Sequence, residues 1–432
     1  MSFNIFGVVW ILLTLLCASK NKYLAILFLW SFIFQSACIV VIGSQAINVS
    51  VFTGLVLIVK YIVCTRKIVL RKSLKAWLVF FLISIVISIY ASKNFVGIQI
   101  FDNFEANGRN ILTTKPYDGS SGFYRFIILC VYIFASHFCA IYLKNSDISF
   151  EKEFRRILNF VLFFGILQFI IVFLELPIYK LYDLLLRTDP ASVSLSHYFS
   201  HPRLFSTLTE PSYCSIFLVS SFWGVLMLES KSKMNKYLPL IAIEIILTFS
   251  TTAYVALLLG AFVYIYNSEN KNKTLSYILL LGCSLVFATL YFMGNNGPFG
   301  FVFDKIQNSN SGVTRTVWNE MAWNNFKETH YIGMGYRTIR ASSMLFNILG
   351  QLGIVGLISF AYSLYLTIIT GMYGKSRTKI NNFCVVFLLL TIICQVIACP
   401  DLDNCILWFA ITLCLYMGEY SQTAHYSLKR GW

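Results

Sequence analysis

Arg203 and Glu210 stand seven residues apart in the run Arg203-Leu-Phe-Ser206-Thr-Leu-Thr209-Glu210-Pro211-Ser212. An arginine offers a planar fork that grips a phosphate or carboxylate in two contacts. A carboxylate close by can orient a hydroxyl or help accept its proton. Pro211 suits the first position of a helix, which puts Glu210 at the cap and Thr209 just before it. Two roles for Glu210 stay open: plain capping, or orientation of a substrate hydroxyl. A helix N-terminus steadies the ionised carboxylate, which favours hydrogen bonding over strong general-base action. His197 and His201 lie just upstream. Either is a candidate base near neutral pH, and either is equally at home as an ordinary loop residue.

A second constellation runs Ser309-Asn-Ser-Gly-Val-Thr-Arg315 and then, after an amphipathic stretch, Gly333-Met-Gly335-Tyr336-Arg337-Thr-Ile-Arg340. Gly335 lets the backbone approach a ligand closely. Arg315, Arg337 and Arg340 join Arg203 as candidate anion holders, and Tyr336 either stacks on a ligand or packs. The glycine pair opens no strand–helix–strand unit, so it is not a dinucleotide fingerprint. Any one of these arginines pairs as readily with an acid or a lipid headgroup. The group, drawn from two loops, points to a phosphate.

The elements that must carry these residues are apolar. Hydrophobic residues make up 57% of the 432 and charged residues 12%, about half the charge of a soluble domain. Thirteen runs are candidate membrane spans, roughly 3–18, 23–43, 51–64, 76–91, 124–143, 157–176, 210–228, 237–249, 252–267, 275–291, 343–370, 382–399 and 404–418. Two of these are short, so the expected range is 12–14. The first run has no basic region ahead of it and no small-residue cleavage site, and reads as a retained anchor. Loops on one side hold 21 Lys and Arg against six acids, whereas the other side has twelve of each. The positive-inside rule makes the first side cytoplasmic and accounts for the whole net charge of +15. That charge is therefore a topology signal and not a nucleic-acid footprint.

Three outer loops are long: 92–123, 177–209 and 292–342. Seven of the eight prolines lie in outer segments, so these loops read as shaped. Leu181, Tyr182, Leu184 and Leu185 suggest one short interfacial helix; Trp318, Met321, Ala322 and Phe326 suggest another. Both either lie on the membrane or pack on the bundle. Seven outer basic residues are arginine: Arg109, Arg125, Arg187, Arg203, Arg315, Arg337 and Arg340. None of the twelve cysteines lies in the large outer loops, although Cys399 and Cys405 bracket a short outer turn and are near enough in sequence to pair. Lys60 and Glu244 fall inside spans and away from the outer ends, where snorkelling or a local partner would accommodate them.

Arginine followed by Glu210-Pro211-Ser212 before a span resembles the third outer loop of O-antigen polymerases of the Wzy type. Ser…Arg315…Gly333-x-Gly335-Tyr336…Ser, running into Leu352-Gly-Ile-Val-Gly356, is similar to their fifth. Both fit the wider O-antigen polymerase/ligase family, whose ligases usually open the following span with His-Asn. Here Ser342-Ser343 stands at that place, which favours the polymerase. The resemblance implies a single all-α, GT-C-like integral membrane domain over 1–432, in a bacterial inner membrane with its site on the periplasmic side. It implies a glycosyltransferase that moves a growing glycan from undecaprenyl diphosphate to a new undecaprenyl-diphosphate-linked repeat unit. Glu210, Arg203 and Arg315 would then be catalytic. Arg337, Arg340, Tyr336, Gly335 and His201 would bind pyrophosphate or sugar. No metal or cofactor is expected, since no Asp-x-Asp pair lies in a large outer loop. Membrane lipid and a chain-length regulator protein are the expected partners. The alternatives are a ligase joining polymer to lipid A core, or a flippase of lipid-linked oligosaccharide. A flippase would show broken helices and charges at mid-membrane.

Overall fold

The computed structural model describes residues 2–42, 45–65, 70–105, 111–120, 123–146, 149–190, 192–228, 232–267, 310–372 and 379–429. The expected span 275–291, Ser309 and Arg109 lie outside them. In chain order the elements are β1 (Ser2–Phe3), α1 (Ile5–Cys17), α2 (Asn21–Ser31), β2 (Cys38–Ile42), β3 (Gln45–Asn48), α3 (Val49–Cys64) and α4 (Lys72–Asn94). There follow β4 (Gln99–Glu105), β5 (Ile111–Pro116), α5 (Phe123–Lys144), α6 (Phe150–Phe173), α7 (Tyr179–Leu186), α8 (Pro211–Leu226), α9 (Leu238–Leu247) and α10 (Thr251–Asn267). The last four are α11 (Asn310–Glu328), α12 (Met344–Met372), α13 (Lys379–Ile397) and α14 (Cys405–Lys429).

Apolar runs free of proline form helices because only a helix satisfies every backbone group within a hydrocarbon layer. Among the described residues, α4, α5, α6, α12 and α13 are long and apolar enough to cross a membrane. Shorter apolar helices, among them α1, α3, α8 and α10, pack around them. The protein is thus a mostly helical membrane protein. Near its centre α8 is buried on almost every side. Trp77 of α4 packs on Trp408 of α14 with ring centroids 5.0 Å apart, and its indole N–H donates to Thr367 at 3.0 Å.

Three departures from the sequence expectation matter. The chain is not wholly helical: β1, β2 and β3 form an antiparallel sheet, and β4 pairs with β5 as a hairpin in the first large outer loop. Segment 23–43 is not one span. Helix α2 ends at Ser31, and Cys38-Ile-Val-Val-Ile, rich in β-branched residues, pairs on both edges instead. The Cys38 N–H also donates to Thr188 Oγ1 at 2.9 Å, pinning this strand to the second large loop.

The third departure is a break within α12. Gly353 adopts φ 63°, ψ −163°, so the helix stops at Leu352 and restarts. The freed groups are met by the loop before it. Met334 N–H donates to Gly350 O (2.9 Å), Gly335 N–H to Gln351 O (2.8 Å) and Ile354 N–H to Tyr331 O (3.1 Å). Glycines at three-residue steps, as at 350, 353 and 356, permit close helix packing; at Gly353 the need is instead a backbone at positive φ. Gly333 has φ +96°, and a Cβ there would sit 2.5 Å from Gln351 O. Gly333→Ala is therefore expected to destabilise the protein by more than about 1 kcal/mol. A fall in thermal midpoint in detergent would register it; an unchanged midpoint would contradict the docking of this loop on the break.

Candidate functional site

The segment 203–209 is non-helical yet buried, which is possible only if its backbone is satisfied by protein. Gln168 of α6 does much of this: its Oε1 accepts from Phe205 N–H at 2.8 Å and its Nε2 donates to Arg203 O at 3.1 Å. Tyr182 of α7 donates to Ser206 O at 2.8 Å, and Ser206, in the left-handed region at φ 52°, donates to Val161 O at 2.8 Å. Helix α7 falls where the loop pattern placed it, with Tyr182 and Leu186 buried and Leu181 and Leu184 exposed.

Arg187 organises the same loop. Its Nε donates to Val193 O (2.7 Å), Nη1 to Leu208 O (3.1 Å) and Nη2 to Thr209 O (2.9 Å), while the guanidinium lies 4.6 Å from the Phe205 ring centroid. Every arm is occupied, so Arg187 is structural and not a phosphate holder. Arg187→Ala is expected to cost about 1–3 kcal/mol for each buried carbonyl left without a donor. The thermal midpoint should fall and activity with it, and lysine, a single point donor, should restore only part. A stable Arg187→Ala protein would contradict this role.

Segment 203–209 delivers Glu210 to the cap of α8, with Pro211 opening the helix. The Glu210 side chain makes no capping bond; it is exposed and accepts from Ser212 Oγ at 3.3 Å. Its carboxylate is therefore open to a ligand. Arg203 is partly committed: Nε and Nη2 donate to the carbonyls of Thr248 and Phe249 at 3.1 and 3.0 Å, which fixes the guanidinium over the end of α9. Burial first, and the nearby charge of Arg315 with it, pull this guanidinium below its ordinary pKa against the opposing pull of Tyr198 and Glu210. Two cations thus approach each other. Arg315 is half-buried on α11 and makes no hydrogen bond or ion pair with the described residues.

Arg337 is held most firmly. Its Nη1 pairs with Asp401 and its Nη2 with Asp403. Asp403 also takes Arg125 at 3.2 Å, and Asp401 accepts from the Tyr213 hydroxyl at 2.8 Å. Arg337 itself has φ 62°, a conformation held by its N–H donating to Gln351 Oε1 at 2.9 Å. Burial works to raise the pKa of Asp401, but Arg337, then Arg340, the Tyr213 hydroxyl and Arg125 outweigh it and hold the carboxyl below its usual range. Asp401 stays ionised, and the two aspartates neutralise Arg337 and Arg125. Arg340 remains exposed at the rim, stacked 4.9 Å from the Trp318 ring centroid.

Other expected ligand residues sit differently. Tyr336 is fully buried, tilted on Phe126 at 5.0 Å, so it packs and offers no ring face to a sugar. Gly335 brings the backbone close to α4 and not to a ligand: a Cβ there would lie 3.2 Å from Ser88 Cα. His201 is exposed, and its backbone N–H donates to Tyr198 O at 3.2 Å. Ala322 and Phe326 of α11 are buried, so that stripe packs on the protein. Cys399 and Cys405 are both free thiols, and the Cys405 thiol sits 3.4 Å from the Tyr132 hydroxyl. Glu244, for which snorkelling or a local partner was expected, has its carboxyl fully buried against Gly165, and neither oxygen is hydrogen-bonded among the described residues.

Electrostatic reach joins these pieces. Glu210 acts on Arg203, Tyr213 and Cys399; Arg315 acts on Arg203 and Cys399; Arg340 acts on Asp401. Three stretches far apart in sequence thus meet around the N-terminus of α8. The Asp401-Leu402-Asp403 turn is short, and its partners Arg337 and Arg125 are distant in sequence, so nothing local marks it as part of the site. A signal was there: a neutral outer face with so many arginines requires acids beside them, and this short turn supplies two. Comparison with protein-family models, curated proteins and solved structures finds no match to this chain.

Proposed function

We propose that the protein is a membrane glycosyltransferase that takes a lipid-diphosphate-linked glycan at the outer membrane face, an O-antigen polymerase of the Wzy type. The observation that supports it is the exposed Glu210 carboxylate at the cap of α8, with the fixed guanidinium of Arg203 within electrostatic reach of both Glu210 and Arg315. In this reaction an acceptor sugar hydroxyl attacks the donor's anomeric carbon, the bond from that carbon to phosphate breaks, and undecaprenyl diphosphate leaves. The leaving group is an anion already, so guanidinium donors suffice to stabilise its growing charge. Among the described residues Arg315 and Arg340 have no carboxylate ion pair, and both would meet the diphosphate; Arg203 faces it from a fixed position. Glu210 orients the hydroxyl and takes up its proton or passes it to water. Arg337 has a different part: bound to two aspartates, it braces the loop that carries Arg340.

The flippase reading has two observations of its own, the break at Gly353 and the buried Glu244. The break, however, gives Gly350 O, Gln351 O and Ile354 N–H to the 331–335 loop and not to a substrate. Deleting the gene from its host and separating the lipopolysaccharide on a gel distinguishes the readings. A polymerase mutant shows core carrying a single repeat unit. Bare core points to the ligase or flippase instead, and an unchanged ladder excludes all three.

A further inference from the structure

The underside of the 331–335 loop forms the roof of a second feature. Between α4 and the restarted half of α12 runs an open groove of about 620 Å³, walled by Val79, Leu82 and Val86 on one side and Ile354 and Val355 on the other, with Tyr331 at its outer end. His330 stands with Tyr331 at the end of the groove, and the two walls are aliphatic. Most of these side chains are more than 40% exposed, and on the span assignment they face hydrocarbon. A lipid-facing surface needs no concavity to meet bulk lipid. This one is built into the backbone: Gly353 breaks α12 where the groove begins, and Gly333 lets the roof lie on the break. From Val79 to Val86 the wall extends about 10 Å at roughly 1.5 Å per residue.

Position decides what fits. The roof strand continues from Tyr331 through Gly333 and Gly335 to Arg337, whose guanidinium sits in the charged cluster, and Arg340 follows at the rim. One short, pinned segment therefore borders the aliphatic groove at one end and the outer cationic site at the other. An occupant with a single hydrocarbon chain and an anionic head satisfies both ends at once. A two-chained phospholipid would leave one chain outside.

We propose that this groove seats the head-proximal part of the isoprenoid chain of the lipid diphosphate, and so sets the approach of the diphosphate to Arg315 and Arg340. The inference rests on the glycosyltransferase reading for the identity of the head.

Site-specific photocrosslinking tests it. A benzoylphenylalanine is placed at Val86 in the groove, or at Phe163, exposed on α6 away from it. Each protein is reconstituted in nanodiscs of phosphatidylethanolamine and phosphatidylglycerol with radiolabelled undecaprenyl diphosphate. The expected result is severalfold more label at Val86 than at Phe163, reduced to the Phe163 level by Val355→Trp in a protein of unchanged thermal midpoint. Equal labelling at the two positions, or labelling indifferent to Val355→Trp, overturns the groove assignment. The two readings fail separately. Equal labelling with a polymer ladder that depends on the gene removes the groove and keeps the enzyme. Selective labelling with a ladder indifferent to the gene keeps the groove as a lipid-diphosphate seat and removes the polymerase.

Discussion

Asp403→Ala is expected to destabilise the protein by about 3–5 kcal/mol, the usual cost of removing one partner from a buried ion pair. The Asp403 side chain is 3% exposed and serves two guanidinium groups, Arg337 and Arg125. Its loss leaves two positive charges against Asp401 alone, with the Arg337 side chain only 19% exposed. The thermal midpoint in detergent should fall sharply, and polymer should disappear because the Arg340 loop loses its brace. Arg337→Lys should fail in the same way, since an ammonium cannot bridge two carboxylates in a fixed fork. If Asp403→Ala melts like the parent protein, the aspartate pair is not what holds Arg337.

Arg315→Ala should do the opposite: abolish function while leaving stability alone. Arg315 has no partner among the described residues, so truncation strands no buried group. Its neighbour Arg203 loses a like charge, which if anything eases the apo protein. Losing one donor to a developing anionic charge typically costs about 10²–10³ in turnover. The contrast with Asp403 is the informative part, because a destabilised variant and a disarmed one both lose polymer but differ in thermal midpoint. Normal chain length from a stable Arg315→Ala protein would remove Arg315 from the diphosphate site.

The long spans were legible because a run such as 76–91 is apolar almost throughout, although 23–43 shows that an apolar run need not be one helix. Glu210 at the cap of α8 was legible for a similar reason: Pro211 fixes the local geometry. What could not be read is set by partners distant in sequence. Arg337 and Asp403 are 66 residues apart, and nothing local in either marks the other. Arg187 looked like any other outer arginine until Val193, Leu208 and Thr209 turned their carbonyls to it. Gly353 sat in an apolar run indistinguishable from a continuous span, and only the loop docked against it explains the break. Tyr336 shows the limit of motif reading. Its neighbours in sequence suggested a ligand, whereas its burial beside Phe126 is decided by α5.

The most direct measurement is chain extension by the purified protein in nanodiscs, supplied with undecaprenyl-diphosphate-linked repeat units. A polymerase should yield glycans of increasing length on lipid diphosphate, with one undecaprenyl diphosphate released for each bond formed, and Arg315→Ala should lose both. Repeat units that remain single, or that cross the bilayer without joining, would contradict that reading.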